Sequence, residues 1–272
     1  MSDPLGAEIV GIPLEEAISP TVFPHIYEAF LDYQLLLFQS VDLPPGLQVE
    51  LARNFGEVQI HVMEQYHGFE DHPEIYLLSN LDENGNPNGK HPDVGTLFWH
   101  TDGSWRKRRG LATMMYSEIV PDEGGETHFC DMYGAYDQLD ADLKSKLVGR
   151  NAIHNLDYSR SRHMKDDLLT EEQKASIPPV SHPIFRIHPE TRRTCIFLGD
   201  HAETVEGMDY EGGRALIDKL NQLATPDKLI YRHKWKPGQV VVWDNRCLLH
   251  RATHFDTANE KRVMRRCTTL SE

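Results

Sequence analysis

The chain has 272 residues, of which 39% are hydrophobic and 26% charged, with a formal net charge of −14. That is enough chain to bury a sizeable core in a soluble globular protein. Its acidity argues against nucleic acid or an anionic membrane as a general partner, but not against a small anionic ligand held by locally clustered arginines. The first ten residues include Asp3 and hold no apolar core of signal-peptide length, and runs such as Leu35-Leu36-Leu37-Phe38 are too short to cross a bilayer. Cys130, Cys195, Cys247 and Cys267 form no Cys-x-x-Cys, so reduced, buried thiols in a cytoplasmic protein are expected.

In chain order, Ala7 to Val10 reads as a short strand, and Ser19-Pro20 as the start of a helix running to about Tyr33. Leu35 to Phe38 is a buried strand. Pro45 opens a second helix with Leu47, Leu51 and Phe55 on one face, ended by Gly56. Ile75 to Leu78 is the next strand. Residues 80–96 are turn chemistry throughout (Asn84-Gly85, Asn86-Pro87, Asn88-Gly89, His91-Pro92), as in a segment that covers a site. Leu97 to Trp105 reads as a strand, as does Leu111 to Ser117. Helices are expected over Met132–Leu139 and Asp142–Val148, and an extended segment over Asn151–Leu156. Residues 157–180 are charged and poor in apolar side chains, a candidate lid or a solvated excursion. The remainder alternates short strands (184–188, 194–198, 229–235, 240–243, 263–270) with one amphipathic helix near 213–223. Short, frequent strands favour a sandwich or barrel over βαβ units, and nothing divides residues 1–272 into domains.

Within Leu97–Trp105, His100 and Asp102 stand two apart, so on a strand they share a face. An imidazole and a carboxylate side by side supply two thirds of the two-His-one-carboxylate set that suits non-heme Fe(II). A candidate for the second histidine is His250, 148 positions beyond Asp102, which taken alone reads as a hydrogen-bonded interior histidine. Only a fold that returns a late strand beside an early one joins them, as jelly rolls do. Arg262 and Arg266 follow on one face of the last strand. Two guanidinium groups in an acidic chain either clamp anions or form a solvated basic edge.

Together, Trp99-His-Thr-Asp102, Gly124-Gly-Glu-Thr127, Trp243-Asp-Asn-Arg246 with His250, and Arg262-x-x-x-Arg266 resemble the Fe(II)/2-oxoglutarate-dependent taurine dioxygenase family. Phe129-Cys-Asp-Met132 and Tyr231-Arg-His-Lys-Trp235 are most similar to its 2,4-dichlorophenoxyacetate dioxygenase branch. The resemblance implies a mainly β fold with flanking helices, a double-stranded β-helix (jelly roll, cupin-like). It implies His100, Asp102 and His250 as iron ligands, Thr127 and Arg262 on the distal carboxylate of 2-oxoglutarate, and Arg266 on the acidic group of the substrate. His61 falls at the family's substrate-contacting histidine, and Trp99 and Trp243 would pack beside the metal. The family's pocket tyrosine and asparagine fall on Glu64 and Thr96.

The implied activity consumes O2, converts 2-oxoglutarate to succinate and CO2, and hydroxylates a small anionic substrate, a carboxylate such as an aryloxyacetate-like acid. The alternatives are a taurine-like sulfonate substrate, a metal-binding jelly roll without oxygenase activity, and a Zn(II) hydrolase. A homo-oligomer is also compatible with the family.

Overall fold

The computed structural model describes residues 5–39, 42–164 and 168–271. Its frame is built from strands that are apolar on both faces. In Leu35–Phe38, Leu35 and Leu37 join one hydrophobic cluster, and Leu36 and Phe38 join another. Val240–Asp244 divides in the same way, Val241 and Trp243 to the first cluster, Val240 and Val242 to the second. Successive side chains alternate across a strand, so such runs mark strands sandwiched between two layers.

The large sheet runs Ala7–Ile9, Leu35–Phe38, Val240–Asp244, Gly110–Ile119, Val263–Leu270, Glu57–Val58, with Tyr76–Ser79 also paired to Val263–Leu270. Ala7–Ile9 joins in parallel, and the strands from Leu35–Phe38 onward pair antiparallel. A smaller antiparallel sheet, Ile230–His233, Thr127–Asp131 and Leu248–Ala252, faces it. Between them the Phe129 ring sits 5.2 Å from Trp243, in one cluster with Met115, Leu248, Leu249 and Met264. The outer face of the large sheet is covered by the helices Phe23–Tyr33 and Pro45–Phe55, which bury Ile26, Phe30, Leu51 and Phe55. Each such side chain contributes about 1.5–3 kcal/mol on burial.

The early strand Gly110–Ile119 thus lies between the late strands Val240–Asp244 and Val263–Leu270. This is the strand interleaving of a jelly roll, as expected. Among the described residues no helix is long and apolar enough to cross a membrane, and all four cysteines are free and buried.

Two local expectations fail. The helix expected from Ser19 begins at Phe23, because Ser19 Oγ instead accepts from Val22 N–H at 3.3 Å in a preceding turn. No strand forms over 97–105. Val94–Leu97 is a 3-10 turn, His100 makes one isolated bridge to His250, and the chain turns at Gly103. Gly103 has φ +67°, and a Cβ there would lie 2.7 Å from Gly110 N. The backbone contact admits only glycine, and it overrides the strand propensity of the apolar run.

Of the stretch 157–180, Leu156–His163 and Glu171–Ser176 are helical, the second opened by a Thr170/Gln173 capping box. Residues 165–167 lie outside the described residues.

Candidate active site and metal centre

Backbone pairing brings the distant histidines together. His100 N–H donates to His250 O at 3.0 Å, and His250 N–H to His100 O at 2.8 Å. The turn at Gly103 then folds Asp102 back onto them. Side-chain ligand atoms of His100, Asp102 and His250 all lie within 4.8 Å of one another, and all three residues are buried. Asp102 Oδ1 is 3.8 Å from His100 Nε2, and Oδ2 is 3.7 Å from His250 Nε2.

The turn is pinned by Asn245, whose Oδ1 accepts from Asp102 N–H at 3.2 Å and from Trp243 Nε1 at 3.0 Å. Asn245 Nδ2 donates to Thr113 Oγ1 at 2.8 Å, and that hydroxyl donates to Asp102 Oδ2 at 2.6 Å. These partners fix the carboxylate before any ion arrives, as outer-shell groups do in metal sites.

The electrostatics suit a divalent cation. His100 Nδ1 lies 2.8 Å from Phe98 O, which places the ring proton on Nδ1 and leaves the Nε2 lone pair toward Asp102. Burial holds His250 well below the usual histidine range, so its imidazole is neutral. Burial works against the Asp102 charge, but the Arg266 guanidinium outweighs it and holds the carboxyl well below its ordinary value. Two imidazoles and an ionised carboxylate are a donor set fitted to Fe(II) and similar ions.

Two small cavities meet at the three residues. His100 and Asp102 line the first, with His61, Tyr76, Trp105, Arg160 and His201 around them. His250 lines the second, with Thr127, Arg262, Leu78 and Met115. Thr96 and Arg266 belong to both. Arg262 is 3% exposed. Its Nε donates to Gly125 O at 3.2 Å, and burial lowers the guanidinium to about 10. No ion pair to it is found among the described residues, so its charge calls for an anion in the cavity. Thr127 Oγ1 accepts from Trp235 Nε1 at 2.9 Å, which leaves its own proton to donate.

The other sequence candidates divide. His61 lines the first cavity, edge-on to Tyr76 (4.9 Å) and Trp105 (5.6 Å). Its Nδ1 accepts from Met63 N–H at 3.2 Å, and burial keeps the ring neutral. Trp243 packs 4.7 Å from His250. Trp99 departs from expectation, its ring lying 4.8 Å beneath the Arg251 guanidinium. Neighbours on an extended backbone point to opposite sides, so the residue before His100 faces away. A solvated basic edge is ruled out for Arg262 and Arg266, both buried.

Sequence reasoning missed Thr113, Asn245, Arg160 and His201. His201 stands 5.7 Å from His100 with its Nδ1 on Ser104 Oγ at 2.9 Å. Asn245 had a signal, its place in Trp243-Asp-Asn-Arg246.

The chain matches the family model described as taurine catabolism dioxygenase TauD, TfdA family, over residues 1–268. The chain belongs to the TauD/TfdA family. It is 35% identical to an alpha-ketoglutarate-dependent 2,4-dichlorophenoxyacetate dioxygenase of Cupriavidus pinatubonensis, over 98% of this chain and 94% of that one. It is 31% identical to an (S)-phenoxypropionate/alpha-ketoglutarate-dioxygenase of Sphingobium herbicidovorans, over 95% and 89% of the two. A crystal structure of AAD-2 in complex with Mn(II) and N-oxalylglycine superposes with a TM-score of 0.86 at 30% identity, covering 98% of this chain and 95% of that one. As a TauD/TfdA member the chain is an Fe(II)/2-oxoglutarate-dependent dioxygenase of a small anionic substrate.

Proposed function

We propose that His100, Asp102 and His250 hold the Fe(II), that Thr127 and Arg262 hold the distal carboxylate of 2-oxoglutarate, and that Arg266 and His61 hold the substrate acid. The observation that carries this reading is the meeting of two cavities at the three residues, with Arg262 in one and Arg266 shared. The iron, with O2 and 2-oxoglutarate, supplies the oxidising chemistry that yields succinate, CO2 and a hydroxylated substrate carbon. The chain supplies binding and orientation.

In the second cavity the Thr127 hydroxyl and the Arg262 guanidinium converge as donors for one carboxylate, an arrangement that fixes the co-substrate's long axis. In the first, Arg266 pairs with Asp102 in the metal-free site, and with that carboxylate serving a cation its guanidinium fork would be available to a substrate anion. His61, with Nδ1 engaged by Met63, carries its proton on Nε2 and donates to a substrate oxygen. The aryloxyalkanoates in the relatives' names support a carboxylate substrate, with a sulfonate as the alternative. Hydroxylation beside an ether oxygen gives a hemiacetal that splits into an alcohol and glyoxylate.

We read residues 1–272 as one dioxygenase domain with 80–96 and 157–180 as its lid segments, each of which contributes residues to the first cavity. Asp93, Gly95 and Thr96 line it from one side, and Ser159 and Arg160 from the other. The same reading places the chain in the cytoplasm, consistent with four free thiols. It also allows a homo-oligomer, which sedimentation would measure.

The test is a panel of carboxylates and sulfonates screened for substrate-dependent succinate release with Fe(II) and 2-oxoglutarate. A carboxylate that raises succinate output above the substrate-free rate supports the reading. A sulfonate doing so better than every carboxylate overturns the substrate class.

A further inference from the structure

A larger cavity, about 770 Å³, shares no lining residue with the two that meet at His100, Asp102 and His250. It has the size of a small-molecule site. Tyr27, Phe55, Leu111, Ile187 and Leu270 give it apolar walls. Ile187 is 56% exposed, so the cavity is open to solutes. Among the described residues that line it, Arg108, Arg109, Arg186 and Arg246 face only Glu57 and Glu190, a local cationic surplus in a chain of net charge −14.

Two of these arginines are matched by acids and two are not. Arg108 Nη1 pairs with Glu57 Oε2 at 2.7 Å, and Arg246 Nη1 with Glu190 Oε2 at 2.6 Å. Arg109 instead donates through Nη1 to His182 Nδ1 at 3.3 Å, and its Nε is buried without a hydrogen-bond partner. That imidazole is neutral, pushed down to about 4 chiefly by burial. Arg186 lays its guanidinium 4.4 Å over the Phe197 ring, and its Nη1 is buried without a hydrogen-bond partner. No ion pair to Arg109 or Arg186 is found among the described residues. Asp244 attracts Arg186 only from beyond ion-pair distance, its oxygens being taken by Arg246 and His188. Burial, and then the Arg109 charge, push Arg186 down to about 10, so the two cations are near enough to repel. Such a pair is costly to hold unless an anion neutralises it.

We propose that this cavity is a separate anion site, in which Arg109 and Arg186 receive a phosphate monoester and the apolar walls receive its organic body. Two unmatched guanidinium groups call for a headgroup with two charges. A phosphate monoester carries about −1.5 to −2 near pH 7, whereas a carboxylate or a sulfate ester carries about −1. Guanidinium forks also meet phosphate oxygens with parallel N–H···O bonds. The site lies behind the turn that bears Asp102. Arg109 precedes Gly110, where a Cβ would stand 2.2 Å from Asp102 O, so close backbone packing separates the cavity from the metal centre. Arg262 and Arg266 line the other cavities, and no residue of the proposed anion site is among the metal, co-substrate or substrate groups.

The experiment is calorimetric titration of phenyl phosphate, phenyl sulfate and inorganic phosphate into the full chain, metal-free and again after loading with Mn(II) and N-oxalylglycine. It is run on the wild type, Arg109→Met, Arg186→Met, Arg186→Lys and Arg266→Leu, with thermal unfolding as the check on folding. The expected result is one phenyl phosphate per wild-type chain in both states, bound about tenfold or more tighter than phenyl sulfate or inorganic phosphate. Each methionine variant should weaken it by about tenfold or more, and Arg266→Leu should leave it unchanged. Arg186→Lys keeps the charge without the fork, so it should lose less than Arg186→Met and reads the site even if the methionine variant does not fold. The absence of saturable wild-type binding, an equal affinity for phenyl sulfate or inorganic phosphate, or wild-type affinity in both Arg109→Met and Arg186→Met overturns the proposal. A loss confined to Arg266→Leu or to the loaded state also overturns it, because the anion would then occupy the catalytic site.

Discussion

Arg266 donates through Nη1 to Asp102 Oδ1 at 3.0 Å, with both side chains buried. Burial acts against each charge, and each is held ionised by the other, Asp102 shifted down and Arg266 up. The proposed substrate anchor and a proposed metal ligand therefore form one ion pair. A metal held by Asp102 would compete with Arg266 for the same carboxylate, so the proposed roles imply that metal binds before substrate.

Arg266→Leu should accordingly leave metal binding intact and raise the substrate KM by about 100-fold or more, the scale of losing a buried charge partner. Steady-state kinetics alongside Mn(II) titration reads both. An unchanged KM would remove Arg266 from the substrate site.

Thr127→Val and Arg262→Met address the co-substrate. Each deletes a donor that a buried carboxylate needs, and charge-assisted bonds are worth about 1.5–3 kcal/mol. The KM for 2-oxoglutarate should rise about 10-fold to 100-fold in each, with the substrate KM little changed. Equal 2-oxoglutarate KM values in wild type and variants would contradict the assignment.

The Arg246 network predicts a stability loss instead of a binding one. Arg246 donates to Asp244 through Nε at 2.8 Å and Nη2 at 2.6 Å, and to Glu190 at 2.6 Å, while His188 Nε2 lies 3.1 Å from Asp244. These bonds tie the Val240–Asp244 strand end to the loop after Phe185–Ile187. Arg246→Met strands the buried Asp244 and should cost about 3–5 kcal/mol in urea unfolding. A loss under about 1 kcal/mol, the worth of a surface pair, would show that the network is not structural.

Several buried histidines predict acid lability. Burial pushes His182 and His233 down to about 4, and His154 well below its ordinary value. Below the unfolded value near 6.5 the unfolded chain binds these protons and the folded one does not. Stability is therefore full above about pH 6.5 and falls as the pH drops toward 4. His154, with neither ring nitrogen hydrogen-bonded, is the sharpest case. His154→Leu should unfold at lower pH than wild type and match or exceed its Tm at neutral pH. An unchanged acid midpoint would exclude His154 as a source of the lability.

Much of this site is legible in the residues, and the exceptions have a common cause. Leu35–Phe38 and Val240–Asp244 announce themselves because a strand buried on both faces needs a continuous apolar run. His100, Asp102, His250 and Arg262 stand out because their chemistry is rare at that order and spacing. The shape of 97–105 is hidden, because the contact between Gly103 and Gly110 is tertiary and leaves no local pattern. Arg160 is hidden for the same reason. The helix that carries it has almost no apolar face and is held by the Asn155 cap and by Asp200, which accepts from Ser159 Oγ at 2.7 Å and pairs with His163 Nε2 at 2.8 Å. Nothing in a charged stretch distinguishes such a helix from a solvated loop.

The most direct test of the whole account is anaerobic equilibrium dialysis of Fe(II) against the wild type and against His100→Ala, Asp102→Ala and His250→Ala. One Fe(II) should be retained per wild-type chain, with retention lost or weakened at least about 10-fold in every variant. Retention of iron at wild-type affinity by all three variants would contradict it.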